Sequence, residues 1–112
     1  MEDKTTIAQD VLSTIARKAA LEIEGVSRMC QEPPGLSRLF KRNLNQGVHI
    51  EIENGIVNTE LYLVLTNGVN IRDVSRKVQQ EVARSISEMV GMQVGRVDIH
   101  IEDIDYPSEV GA

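Results

Sequence analysis

The sequence is poor in side chains that carry chemistry by themselves. Among 112 residues there is one cysteine, no tryptophan, and three aromatics, Phe40, Tyr62 and Tyr106. A single thiol, Cys30, cannot close an internal disulfide, and one cysteine with two histidines cannot assemble a zinc finger. Beside Pro33 and Pro34, Cys30 reads either as a reactive thiol or as a small buried hydrophobe, the latter being the commoner fate of a lone cysteine. No GxSxG, phosphate-binding loop, HExxH or GxGxxG pattern occurs, so no catalytic residue, metal ligand set or cofactor site is expected. Apolar runs are short, far below the ~18 residues of a membrane-spanning helix, and the charged start MEDKTTIAQDV is unlike a secretory leader. A cytoplasmic protein with no direct membrane span is the expectation.

Basic residues are also in the minority, 12 against 17 acidic ones, for a net charge of −5. That balance opposes wholesale contact with nucleic-acid phosphates. An RNA-recognition sheet needs stacking aromatics, and a KH module needs a GXXG loop between helices; the sequence offers neither, so no nucleic-acid partner is expected. The charge is nevertheless uneven. Residues 28–44 hold four cations and one anion, whereas residues 97–112 hold five anions and no lysine or arginine.

What is present is strong periodic patterning. Ile7, Val11, Leu12, Ile15, Ala16, Ala19 and Ile23 recur at helical spacing, with Thr6 and Gln9 at capping-box spacing and Gly25 beyond the end, predicting a helix over 6–24. Val26 to Cys30 is compatible with a short strand. The Pro33-Pro34-Gly35 break then precedes Leu36, Leu39, Phe40 and Leu44, enough for one or two turns of helix. Val48, Ile50 and Ile52 alternate with His49, Glu51 and Glu53, and Asn54-Gly55 follows as a tight hairpin turn into a strand over 56–65. Ile71, Val74, Val78, Val82, Ile86 and Met89 predict a second helix over 71–90, with Asn70 as N-cap and Gly91 as terminator. A last strand covers about 94–104.

Two amphipathic helices and half-apolar strands bury their faces best as two layers. The expected fold is α/β (α+β), in the order α-(β)-β-β-α-β, with two long helices on one face of a mixed three- to four-stranded sheet. Residues 1–106 form the single domain and 107–112 an acidic tail.

Two candidate sites follow. His49, Glu51, Glu53, Glu60, Tyr62, Asp98, His100 and Glu102 share the sheet face away from the helices. Imidazole with carboxylates suits zinc or manganese, but a solvated polar face is the ordinary state of such a sheet and is the reading adopted. Arg28, Leu36, Arg38, Leu39, Phe40, Lys41 and Arg42 combine cations with apolar side chains, the composition of a segment that docks a partner or an anionic membrane surface. At ~1 kcal/mol per cation, membrane attachment by these residues alone is weak and salt-sensitive.

Several stretches together resemble a known family. Val11-Leu12-Ser13-Thr14-Ile15-Ala16-Arg17-Lys18-Ala19-Ala20, Glu22-Ile23-Glu24-Gly25-Val26, Gly47-Val48-His49-Ile50, Asn67-Gly68-Val69-Asn70-Ile71, Val78-Gln79-Gln80-Glu81-Val82, Met89-Val90-Gly91-Met92 and Val97-Asp98-Ile99-His100-Ile101 are similar, in this order, to the alkaline-shock/general-stress envelope proteins of Gram-positive bacteria. Arg17, Asn67 and Val90 depart from residues common in that family, and no long charged extension is present. The resemblance implies a non-catalytic, self-associating scaffold or interaction protein of the envelope stress response, with no cofactor. In some members a membrane-anchored protein holds it at the inner face of the membrane. The alternative it implies is a regulator of fatty-acid or acetyl-CoA metabolism that binds an enzyme or a small ligand.

Overall fold

The computed structural model describes residues 7–30 and 46–106. Helix α1 spans Gln9–Leu21, strand β1 Val26–Met29, β2 Val48–Glu53, β3 Ile56–Thr66, helix α2 Ile71–Val90 and β4 Gln93–Asp105. The element order is the expected one. Thr6, the basic stretch 36–44 and the tail 107–112 lie outside the described residues.

The sheet is organised around β3. Along one side it pairs in parallel with β4, from Ile56↔Gln93 to Thr66↔Asp105. Its other side is shared end to end by two antiparallel strands: β2 pairs with the first half, Val48↔Leu61 to Glu53↔Ile56, and β1 with the second, Met29↔Leu63 to Val26↔Leu65. β3, α2 and β4 thus form a βαβ unit, and the sheet is mixed as expected.

Tyr62 marks the junction of β1 and β2. Its N–H donates to the Gly47 carbonyl at 2.9 Å, and its carbonyl accepts from the Cys30 N–H at 2.8 Å. The chain can reverse into β2 there because Gly47 adopts φ +88°, and a Cβ at that position would lie 2.9 Å from the Cys30 carbonyl oxygen. At the β2-β3 turn both Asn54 (φ 53°) and Gly55 (φ 77°) are left-handed, as a type I′ hairpin requires.

Both helices lie on one face. α1 covers β1 and β2, α2 covers β4, and the two pack against each other above β3. Leu12, Ile15, Ala16, Ala19 and Ala20 of α1 meet Val74, Val78, Val82 and Ile86 of α2 over Val48, Ile50, Val57, Leu61, Leu63 and Leu65. α2 has the expected ends: the Asn70 side chain accepts from the Asp73 N–H at 3.0 Å, and Gly91 closes the helix at φ 73°.

The structure corrects three details. α1 begins at Gln9 rather than at a capping box, and its N-cap residue, Ala8, has no side-chain hydrogen bond. Val11 is 46% exposed while Ala20 is fully buried, so the buried stripe is rotated toward the small residues that let α1 approach α2. Ile71 and Met89 lie at the ends of α2, past the edge of the core, and are exposed.

Candidate functional site

The side of the sheet away from the helices is built by strict alternation on β3. With Val57, Thr59, Leu61, Leu63 and Leu65 turned to the helices, Ile56, Asn58, Glu60, Tyr62 and Val64 take the opposite face. Register then places His49 of β2 and Asp98 of β4 on either side of Glu60, and His100 beside Tyr62. The eight residues expected on this face are thus brought together as a band across three strands.

The band is less solvated than a polar face ordinarily is. Tyr62 is 8% exposed and Val64 1%, although neither belongs to the helix-side core. The Tyr62 and His100 rings stack, with centroids 4.5 Å apart and planes 12° from parallel. His100 Nε2 lies 3.3 Å from Glu60 Oε2, which fixes the far side of the imidazole. Burial of the Tyr62 phenol pushes its pKa above the usual tyrosine value, and the negative charges of Glu60 and Glu102 push it the same way. His49 Nε2 lies 3.7 Å from Glu51 Oε2. Among the described residues no group of three or more His, Cys, Asp or Glu side chains is placed to hold a metal ion.

Arg28, the first residue of the expected docking surface, stands on β1 opposite Val64. Its guanidinium crosses the sheet to β4, donating from Nε to Asp105 Oδ2 at 3.0 Å and from Nη2 to Oδ1 at 3.3 Å, while the Ser27 hydroxyl donates to Oδ2 at 2.6 Å. These hydrogen bonds, Arg28 first and Ser27 second, hold the Asp105 carboxyl below the usual aspartate range. Arg28 is therefore charge-paired and ties β1 to β4. Leu36, Arg38, Leu39, Phe40, Lys41 and Arg42 lie outside the described residues.

Next to this tie is an open cavity of about 610 Å³, lined by Arg17, Leu21, Arg28, Met29, Cys30 and Gln46. Arg17 donates to the Gln46 side chain across it. Cys30 stands half-buried at its wall rather than in the core.

Sequence reasoning did not single out Asp105, Ser27 or Asn58. Asn58 Oδ1 accepts from the Arg96 N–H at 2.7 Å, where β4 carries one residue more than β3. A second extra residue falls between Ile101 and Asp103. The signal was in the spacing: Val94 to Val97 and Ile101 to Ile104 are three apart where a regular strand needs two. The apolar run Leu61 to Leu65 likewise foretold a strand covered on both faces.

The fold and this site define a two-layer α+β domain whose open face is held by strand-to-strand ion pairs and a ring stack. The chain belongs to the alkaline-shock protein 23 family, a family of cell envelope-related function, whose profile it matches over residues 1–106. It is 29% identical over 108 residues to the uncharacterised protein YqhY of Bacillus subtilis, covering 95% of this chain and 80% of that one. It is 26% identical over 102 residues to YloU of the same organism, covering 88% and 85%. Spy1535 of Streptococcus pyogenes is 30% identical over 99 residues, covering 88% and 76%, and is also uncharacterised. Among solved structures the C-terminal domain of MamM, in a point-substituted form, superposes with a TM-score of 0.53 at 5% identity, covering 90% of this chain and all of that one. That likeness concerns the fold alone.

Proposed function

We propose that the protein is a non-catalytic interaction module of the envelope stress response type, self-associating at the cytoplasmic side and docking a membrane-anchored protein. The observation that carries the reading is membership of a cell envelope-related family together with the segregated charge of the chain: a basic, apolar segment at 28–44 and a sheet face rich in carboxylates. The ion pairs found on the ordered strands tie the domain to itself, as Arg28 does with Asp105. Arg38, Lys41 and Arg42, with Leu36, Leu39 and Phe40, are the docking residues proposed. No described helix is long and apolar enough to cross a membrane, so membrane association in this reading comes from the partner.

The test is reversal of Arg38, Lys41 and Arg42 to Glu. Loss of proteins recovered by crosslinking pull-down, and of any co-sedimentation with anionic liposomes, is expected; unchanged recovery of both assigns the wrong surface.

One observation favours the second reading, a regulator of fatty-acid or acetyl-CoA metabolism. The cavity beside Arg17 joins a cation to the apolar walls of Leu21 and Met29, a combination suited to an anionic ligand with an apolar body. A dose-dependent rise in melting temperature with acyl-CoA, lost in Arg17→Ala, separates this reading from the first.

A further inference from the structure

The outer edge of β4 is a second surface with its own chemistry. Among the described residues β4 pairs only with β3, from Gln93 to Asp105, leaving a row of outward backbone groups on the other side. Such an edge is a template for an added strand unless the protein blunts it. Here extra residues distort β4 after Val94 and after Ile101, and within the regular stretch between them the Gln79 side chain occupies the Val97 carbonyl. Between them Val97–Ile101 pairs regularly with Thr59–Leu63. The centre of that stretch is held still by the stack of His100 on Tyr62 and by Glu60.

The two faces of this stretch differ. On the helix side Val97, Ile99 and Ile101 are only half-buried, whereas their neighbours Leu61 and Leu63 on β3 are fully buried, because the helices cover the middle of the sheet and leave its edge partly open. A groove of about 500 Å³ runs along the flank of α2, lined by Ile71, Arg72, Ser75, Arg76 and Gln79. The Gln79 amide, which lines the groove, donates to the Val97 carbonyl at 2.9 Å, so the groove and the edge are contiguous. On the opposite face Asp98 and Glu102 flank His100, with Glu60 behind them, and none of these carboxylates has a lysine or arginine partner among the described residues.

We propose that Val97–Ile101 receives a strand from a partner protein, apolar on its helix-side face and carrying lysine or arginine on the other. The apolar side chains would cover the half-open row of Val97, Ile99 and Ile101. The cations would stand beside Asp98 and Glu102, where opposite charges on neighbouring strands attract. A second copy of β4 does not fit, since antiparallel pairing about His100 brings Asp98 of each copy toward Glu102 of the other, and like charges opposite one another are destabilising. This surface is distinct from the basic segment and does not depend on its role.

The test uses the whole chain and a capped nine-residue peptide of alternating lysine and valine. Saturable binding is expected, with hydrogen-exchange protection appearing at outward amides within residues 97–101. Asp98→Lys with Glu102→Lys is expected to weaken binding roughly tenfold, from two cross-strand pairs turned from attraction to repulsion. Asp98→Lys puts a cation beside its register partner Glu60, and the variant, its folding checked by circular dichroism, is expected to bind the glutamate-valine peptide instead. The proposal is overturned by equal binding of a lysine peptide with proline at alternate positions, by protection appearing elsewhere, by failure of the charge swap, or by β4-to-β4 dimers in sedimentation.

Discussion

Arg28 and Asp105 lie 77 positions apart in sequence, on strands that never touch, and their side chains meet across β3 through two nitrogen-oxygen contacts of 3.0 and 3.3 Å. The tie closes the end of the sheet where β1 is only four residues long. Because Asp105 titrates below its usual value near 3.8 in the folded state, it favours folding above the unfolded-state pKa, and that contribution fades as pH falls through the folded-state value. Asp105→Asn should therefore lower the melting temperature at neutral pH. The difference from wild type should vanish in strong acid; a gap constant from pH 7 to pH 2 contradicts the assignment.

Tyr62 has the opposite sign. Burial raises its folded-state pKa, so its contribution is complete below the unfolded-state value and is lost as pH rises through the folded one. Absorbance titration should show one of the two tyrosines ionising above the usual value of ~10. That component should be absent in Tyr62→Phe.

Gly47→Ala should be among the most damaging small substitutions. A left-handed backbone at φ +88° costs about 1–3 kcal/mol for a strained non-glycine residue, and the added methyl also meets the fixed carbonyl of Cys30. Urea denaturation should show at least that loss. An alanine tolerated within 0.5 kcal/mol would mean that the β1-β2 junction is arranged differently.

Thr59 is 1% exposed, faces the helices, and its hydroxyl has no hydrogen-bond partner among the described residues. Replacing it with a group of the same shape removes an unsatisfied donor from the core. Thr59→Val should raise stability by about 1 kcal/mol in chemical denaturation, and a loss of stability would show that the hydroxyl is satisfied in solution.

At the start of α1 Ala8 occupies the N-cap with no side-chain acceptor. Ala8→Ser or Ala8→Asp should add a side-chain acceptor for the N–H groups of the first helical turn and stabilise the domain by about 0.5–1 kcal/mol. The corresponding loss is expected from Asn70→Ala, where such a bond already exists at 3.0 Å. Thermal melts of the two variants should move in opposite directions.

Elements with local causes were legible in the sequence. Asn54-Gly55 specifies a turn because both residues reach left-handed conformations, and α2 shows both its caps and its stripe within twenty residues. Even the two irregularities of β4 are written in the three-residue gaps between Val94 and Val97 and between Ile101 and Ile104. What depends on distant segments was not legible. The pairing of β1 and β2 end to end along β3, the reach of Arg28 over β3 to Asp105, and the stack of His100 on Tyr62 all require strands placed by long-range contacts. A short sequence pattern says which face a side chain takes, because the strand period is two; which neighbour it meets there is decided only when the sheet order and register are set by packing against the helices.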